Sequence, residues 1–296
     1  MSQQTSPSTH QRYGITRVIR VWGLRRSTFY AQCVRRAQPA TGRRGRTPTL
    51  DDAALLVQIR AVIVESPFHG EGHRKIWARL RTLKQVRTSM RRVLRVMREA
   101  ALLAPARQPE PLVERPHDGT IVTDRPNVMW GTDATAAVTL VDGSATIFAA
   151  IDHCTAECVG IHAARHGDRF EALEPLRQGV RDHFGALAAS VAQGLAVRHD
   201  HGSVYLSGDF QNEVAFLGMA SSPAFVRQPE GNGCIERFFR TLKEQLLWVR
   251  HFDTIEQLRQ ALLAFKETYN REWLIARLGY RSPAQARQAF AVRPAA

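Results

Sequence analysis

The sequence predicts an α/β protein, with a mixed five-stranded sheet flanked by helices and preceded by small all-α modules. After residue 121, apolar runs of strand length alternate with stretches of helical periodicity, as in domains where helices cover a sheet. Before residue 105 the periodicity is helical. Charge divides the chain at the same place, because residues 1–107 hold 22 Lys and Arg against 5 Asp and Glu. We therefore expect a basic helical part followed by a sheet domain.

The basic part begins with two short helices predicted within residues 14–36 around Gly23, as in a helix-turn-helix. A flexible basic linker follows between Pro39 and Pro48. Further helices are predicted at 51–65, 72–83 and 88–102, and Thr88 is the predicted N-cap of the last. The predicted domains are 1–48 (helix-turn-helix-like segment and linker), 49–107 (helical DNA-binding module), 108–120 (linker), 121–250 (sheet domain) and 251–296 (C-terminal helical extension).

The predicted sheet domain opens with a three-stranded meander. Its strands are expected at 128–138, 145–152 and 157–163, with a turn at Asp142-Gly143. Two short apolar runs predict further strands at 195–200 and 223–227. Helical patterns predict the flanking and terminal helices at 168–185, 207–218, 232–249, 254–271 and 282–291.

Composition and charge narrow the class of protein. With 44% hydrophobic and 23% charged residues, the chain is typical of globular rather than disordered proteins. No apolar stretch reaches the roughly 20 residues that span a bilayer, and the first residues are polar, so we expect a cytoplasmic protein. The four Cys are too few and too irregularly spaced for a disulfide framework. The segregated basic charge favours a polyanion partner over a merely solvated surface.

Three acidic residues lie in segments that predict one divalent-metal site. Asp133 is the single carboxylate of a predicted buried strand, and Asp200 ends a second apolar run before Gly202. Glu236 lies on a predicted helix whose candidate N-cap is Asn232. Because Mg²⁺ prefers oxygen ligands and keeps several waters, a sparse set of carboxylates suits it. Each acid alone has an ordinary structural explanation, so the prediction depends on the three together.

The contexts of these acids resemble a known family, the OrfB transposases of the insertion-sequence-three family, within the retroviral-integrase-like Asp-Asp-Glu superfamily. The stretches that carry the resemblance are Trp130–Asp133, His199–Ser207, Asn232–Lys243, Leu278–Pro283 and the upstream His69–Leu80. The resemblance covers roughly residues 50 to 290 and implies a ribonuclease-H-like catalytic domain. It also implies metal-dependent DNA strand cleavage and strand transfer, with integration of an insertion sequence into target DNA.

The resemblance also implies roles for individual residues. Asp133 would bridge two Mg²⁺ ions, for which Mn²⁺ can substitute, and Asp200 and Glu236 would each complete one coordination sphere. Lys243, and Arg240 on the same helix face, would contact DNA phosphates, although an Arg240 pair with Glu236 is an alternative. The implied partners are the terminal inverted repeats, target DNA, further copies of this chain and an upstream-frame (OrfA) protein, on the nucleoid.

The helical module supplies further candidate DNA contacts. In the predicted helix 88–102, apolar residues share one face, and most arginines lie elsewhere. We expect these arginines and their neighbours to bind phosphate, with solvated arginines on a core helix as the alternative. The candidate contacts are Arg74, Lys75, Arg87, Arg91, Arg92 and Arg95.

Other interpretations compete with this one. His153, Cys154, Cys158 and His162 are of metal-ligand types, but residues on paired strands more often pack than converge on tetrahedral zinc. His199 and His201 flank Asp200 and should point away from it along a strand. A DNA-binding regulator that has lost catalysis is one rival function, and another ribonuclease-H-like nuclease is a second.

Overall fold

The computed structural model describes residues 3–37, 50–104, 121–224 and 232–291. It divides the chain into two compact units, residues 1–49 and 50–296. The first unit contains helices α1 (Ile15–Val21) and α2 (Arg26–Ala37), and Gly23 between them has a φ of +64°, which glycine adopts without strain. The two predicted helices around Gly23 are therefore confirmed, and the predicted linker 39–48 lies outside the described residues.

The second unit begins with a three-helix module of residues 50–104. Its helices are α3 (Asp52–Glu65), α4 (His73–Leu83) and α5 (Met90–Glu99). The N-cap prediction for α5 was wrong by one residue, because Ser89, and not Thr88, accepts the Arg92 N–H. The three helices enclose a small apolar core of Leu55, Ile59, Val62, Ile76, Leu80, Val93, Val96 and Met97.

The predicted mixed sheet is confirmed. Its strands are β1 (Met129–Thr139), β2 (Gly143–Asp152), β3 (Cys158–Ala164), β4 (Ala196–His199) and β5 (Ala220–Pro223). The spatial order is β3-β2-β1-β4-β5, with β1, β2 and β3 antiparallel in sequence. Strand β4 pairs parallel with β1, and β5 pairs parallel with β4.

Helices cover both faces of the sheet. They are α6 (Arg169–Phe184), α7 (Gly208–Phe216), α8 (Gly233–Leu242), α9 (Ile255–Glu272) and α10 (Pro283–Ala291). One apolar cluster holds residues of α6 and α7 against one face, and a second holds α8 and α9 against the other. No helix in the described ranges is long and apolar enough to cross a membrane.

Two boundaries differ from the sequence prediction. Strand β5 ends at Pro223 rather than residue 227, and the predicted remainder includes residues outside the described ranges. The predicted helix 232–249 is α-helical only to Leu242, and Lys243–Leu247 form a π-helical turn. A π turn inserts an extra residue into the hydrogen-bond ladder, which composition does not reveal.

The helical module packs directly on the sheet domain. Phe68 is buried in the same apolar cluster as α8 and α9, and its ring meets Trp273 edge to face. Gln245, in the π turn, accepts the His69 N–H at 2.8 Å and donates to the His69 carbonyl at 3.0 Å. Arg79 donates to the Glu272 carbonyl at 3.1 Å. Residues 50–104 and the sheet domain are therefore held together by both apolar and polar contacts.

Candidate active site

Asp133 lies on the face of β1 that α8 covers. Asp133 pairs with Ala149 of β2, and Gly131 pairs with Ile151 of the same strand. Ala149 and Ile151 both belong to the apolar cluster that contains residues of α8. Because side chains alternate along a strand, Gly131 and Asp133 point to this same face. One Asp133 carboxylate oxygen accepts the Ala134 N–H at 2.7 Å. The strand thus presents a half-buried carboxylate beneath the helix that carries Glu236.

The parallel register brings Asp200 next to Asp133. Gly131 pairs with Arg198, so the same step along both chains leads to Asp133 and Asp200. Asp200 is exposed at the end of β4, where its carboxylate accepts the Gly202 N–H at 2.8 Å. A Cβ atom at position 202 would lie 2.9 Å from an Asp200 carboxylate oxygen. This position therefore favours glycine.

Asn232 joins the start of α8 to β1. Its side-chain amide donates to the Thr132 carbonyl, the one directly before Asp133, at 3.2 Å. Asn232 is the first residue before α8, as predicted, but its side chain makes no capping hydrogen bond. Glu236 follows one helical turn later and is exposed. Sequence analysis identified Asn232 as a cap and missed this contact between helix and strand.

The electrostatics of Asp133 show that the three acids are neighbours. Burial, together with the negative charges of Asp200 and Glu236, raises the pKa of the Asp133 carboxyl to about 6. The hydrogen bond from the Ala134 N–H and the positive charge of Lys243 act in the opposite direction and lower this pKa. None of the three acids has a salt-bridge partner within 4.0 Å among the described residues. The site therefore concentrates negative charge that an added cation would stabilise.

The three carboxylates form an open arrangement. In the part of the chain that the structure describes, no three His, Cys, Asp or Glu side chains are close enough to hold one ion. Magnesium usually keeps several waters and takes one or two protein carboxylates. Separated carboxylates of this kind are compatible with a partly hydrated ion, whereas the described residues form no closed protein cage.

The two predicted phosphate-binding residues that follow Glu236 lie at the far end of α8 and in the π turn after it. Arg240 is exposed in the last turn of α8, and Lys243 opens the π turn. Lys243 is close enough to influence Asp133 electrostatically. The alternative pair of Arg240 with Glu236 is not formed, since the structure shows no ion pair between these two described residues.

The module's candidate DNA contacts divide into two groups. Arg74, Arg87 and Arg91 are exposed. The other three make contacts within the protein: Lys75 lies over the Trp273 ring, and Arg92 and Arg95 both bind Asp52. Burial lowers the pKa of Lys75 to about 7, with Glu71 opposing the shift. The exposed group is therefore the better placed to meet a phosphate backbone.

Most of the histidine and cysteine residues weighed in the sequence lie in packed surroundings, whereas His201 is exposed. His199 is buried, and its Nε2 forms a hydrogen bond of 2.9 Å with Ser221 Oγ. Its ring stacks on the ring of Tyr205. His162 lies 2.6 Å from a Glu171 carboxylate oxygen, and Cys158 donates to the Gly160 carbonyl over 3.4 Å. Burial raises the pKa of the Cys158 thiol to about 12, so it stays protonated at neutral pH.

Comparison with known proteins identifies relatives of this arrangement. Residues 217–283 match the integrase core domain family, and residues 49–110 match an HTH-like domain family. Transposase InsD for the insertion element IS2 of Escherichia coli is 28% identical over 278 residues, which are 92% of this chain and 90% of that protein. The predicted resemblance to insertion-element transposases is confirmed.

Further relatives of these transposases and integrases extend the comparison. An uncharacterized 48.2 kDa protein of insertion element IS2A from Escherichia coli is also 28% identical, over 94% of this chain, which spans 65% of that protein's length. Among solved structures, a simian T-cell lymphotropic virus intasome is 18% identical, with a TM-score of 0.49, covering 76% of this chain and 74% of that one. The HTLV-2 integrase catalytic core, in complex with magnesium, is 16% identical, with a TM-score of 0.42, over 55% of this chain and 98% of that one.

Proposed function

We propose that this chain is a DNA transposase that cleaves DNA strands at the ends of an insertion sequence and joins these ends to target DNA. The observation that carries the proposal is Asp133, a half-buried carboxylate whose pKa is raised by burial and by Asp200 and Glu236. Structural acids of this kind are normally paired with a cation, and this one is not paired in the described structure. The relatives named for transposition support the same reaction.

The donor set fits a hard divalent cation. Asp133, Asp200 and Glu236 would hold Mg²⁺, or Mn²⁺ in its place, through carboxylate oxygens, the ligands that these ions prefer. We propose that these three carboxylates would together hold two such ions. Such ions, when bound, activate the attacking oxygen and stabilise the leaving oxygen of an in-line phosphoryl transfer.

The chain's own side chains would place the DNA. Asp200 and Glu236 are exposed at the rim, so a phosphodiester can approach the site from solvent. Lys243, next to the acids, would bind a phosphate oxygen of the approaching strand. The Ala134 N–H holds one Asp133 oxygen and thereby fixes the orientation of the carboxylate. No covalent bond between protein and DNA is required for this reaction.

The helical module would bind the ends of the element. Arg74, Arg87 and Arg91 are its exposed candidate contacts, and the matching HTH-like family supports a DNA-binding role. The proposed partners are terminal inverted repeats and target DNA, further copies of the chain on that DNA, and an OrfA protein. We place the reaction in the cytoplasm, on the nucleoid.

The test replaces each acid by its amide. Asp133→Asn, Asp200→Asn and Glu236→Gln should each abolish cleavage of end-bearing DNA with Mg²⁺, because the amide keeps the shape and loses the charge that binds the ion. DNA affinity, measured by titration, should stay within about twofold of the wild type. Glu267→Gln, at an exposed position of α9, is the matched control and should cleave normally.

The outcome separates the proposed function from its rivals. Retained cleavage in two of the three amide variants would contradict the metal-site assignment. A wild-type protein that binds the ends tightly and cleaves nothing with Mg²⁺ or Mn²⁺ would instead identify a DNA-binding regulator. Preferred cleavage of RNA–DNA hybrids would identify a nuclease of the same fold.

A further inference from the structure

The side chain of Asn232 contacts β1 in a closely packed region. Asn232 is 5% exposed, and its amide donates to the Thr132 carbonyl at 3.2 Å. Its amide oxygen has no hydrogen-bond partner among the described residues. The hold of this side chain on the strand therefore depends on one donated hydrogen bond.

Gly131 makes this contact possible. A methyl group added to Gly131 would lie 2.7 Å from Asn232 Oδ1 and 2.6 Å from His153 Nε2, both closer than real side-chain carbons approach. His153 is fully buried and is itself fixed, because its Nδ1 lies 3.0 Å from the Ile121 carbonyl and its backbone N–H bonds Met129. The Asn232 side chain therefore lies between Gly131, which has no side chain, and the imidazole ring of His153, which is held in place.

The spacings of helix and strand then relate the two acids. From Asn232 to Glu236 the helix rises about 6 Å. From Gly131 to Asp133 the strand advances about 6.6 Å on the same face. If Asn232 is seated over Gly131, these nearly equal steps carry Glu236 to the level of Asp133. The negative charge of Glu236 also contributes to the raised pKa of Asp133, which agrees with this placement.

We propose that Asn232 is a positioning residue for Glu236: seated over Gly131 and bonded to the Thr132 carbonyl, it sets the register of α8 on β1. The inference rests on the proposed function, because it assigns a purpose to the spacing of Asp133 and Glu236. Asn232 does not touch the ions or the DNA in this proposal. It acts only through the helix that it anchors.

The test measures Mn²⁺ binding to the full chain without DNA, from the electron paramagnetic resonance signal of free Mn²⁺. Asn232→Ala and Asn232→Leu should each weaken binding about 10-fold, and cleavage should fall about 100-fold, the loss expected for a displacement of roughly 1 Å. Leu has the same branched skeleton as Asn, with larger terminal groups, and removes the donor, so wild-type binding in Asn232→Leu would exclude a role for the hydrogen bond. The matched control is Asn212→Ala, on the exposed side of α7.

A double-mutant cycle separates positioning from general stability. If Asn232 acts through Glu236, then Asn232→Ala should weaken Mn²⁺ binding in the wild type and cause no further loss in Glu236→Gln. Gly131→Ala should reproduce the Asn232→Ala defect, while Gly208→Ala, where an added carbon meets nothing within 4 Å, should not. All variants are compared well below their melting temperatures, with far-ultraviolet circular dichroism as the check on folding.

Each outcome decides the matter. Wild-type Mn²⁺ affinity in Asn232→Leu, or independent and additive losses in the cycle, overturns the positioning role and leaves the transposase proposal intact. Equal Mn²⁺ affinity in the wild type and in Glu236→Gln overturns the positioning role and the assignment of Glu236 as a ligand, while the cleavage assay on the amide variants remains the separate test of the proposed function. A non-additive loss, shared with Gly131→Ala, supports the inference.

Discussion

A single residue, Asp133, shows how the fold produces a reactive carboxylate. The strand holds it half-buried, a backbone N–H binds one of its oxygens, and two further acids lie nearby. Removing water and adding like charges both disfavour the ionised form. The folded protein therefore keeps at this position a negative charge that its surroundings disfavour.

This environment predicts an unusual dependence of stability on pH. Because the pKa of Asp133 is raised from 3.8 to about 6, the metal-free folded state binds more protons than the unfolded state between those values. The contribution of Asp133 to stability is thus present at low pH and is lost as pH rises through about 6. At pH 7 and without metal, Asp133→Asn should raise the free energy of unfolding by about 1–2 kcal/mol, discounted for partial exposure.

Thermal unfolding in chelator and in Mg²⁺ checks this prediction. The wild type should gain melting temperature with Mg²⁺, because a ligand of the folded state stabilises it, and Asp133→Asn should not. A lower metal-free melting temperature for Asp133→Asn at pH 7 would show that the carboxylate is stabilising. At pH 3.5 the two proteins should differ little, since both side chains are then uncharged.

At the scale of elements, the arginines of helix α5 lie in two different environments. Val93, Val96 and Met97 face the module core. Arg92 donates to Asp52 at 2.8 Å, while Arg91 is exposed. The Arg92 and Arg95 guanidinium groups hold the pKa of Asp52 below its usual value. One arginine therefore stabilises the module, and its neighbour in sequence is available to DNA.

The division predicts different effects of neighbouring substitutions. Replacing Arg74, Arg87 and Arg91 together by Ala should weaken DNA binding and reduce the slope of log affinity against log salt by about 0.9 for each phosphate that is no longer neutralised. Fluorescence anisotropy titrations from low to moderate salt would measure both quantities in the full chain. Arg92→Ala is the comparison, because it should lower the melting temperature and leave the salt slope unchanged.

An unchanged salt slope in the triple variant would contradict the assignment of this surface to DNA. A reduced slope in Arg92→Ala with a normal melting temperature would show that Arg92 exchanges Asp52 for phosphate. The salt slopes of both variants come from the same titrations, and a thermal melt of Arg92→Ala supplies the second quantity.

At the scale of the whole second unit, the module has its own apolar core and contributes one residue to a core cluster of the sheet domain. Phe68 comes from the module but is buried with residues of α8 and α9. Gln245 and Arg79 add hydrogen bonds across the same contact. These contacts are few, but Phe68 is buried, so the unfolding of the module is expected to be coupled to that of the sheet domain.

Phe68→Ala should therefore cost about 3–5 kcal/mol, the range for truncating a buried aromatic residue. Hydrogen exchange should rise in both α4 and α9, because the cluster supports both. Phe216→Ala, at a position 53% exposed on α7, is the control and should cost far less. Faster exchange in α4 alone would mean that the module unfolds independently of the sheet domain.

Much of this molecule follows from sequence patterns, and the exceptions have physical causes. Apolar periodicity predicted the sheet and most helix positions, because burial on one face imposes it. The acids stood out because a carboxylate in an apolar strand is rare. The role of Asn232 could not be predicted, since a residue suited to capping can also reach a neighbouring strand. Lys75 was expected at DNA and lies over Trp273, because its burial depends on a residue distant in sequence.

The position of Phe68 has a consequence for the evolution of such proteins. A helical module joined only by a linker could be exchanged between elements, and new end sequences could be acquired in one recombination event. Here an exchange of residues 50–104 that brought a different side chain at position 68 would leave Trp273 without its aromatic neighbour. For a module that binds element ends as proposed, specificity for new ends should therefore arise by point substitution within residues 50–104 more readily than by shuffling of whole modules.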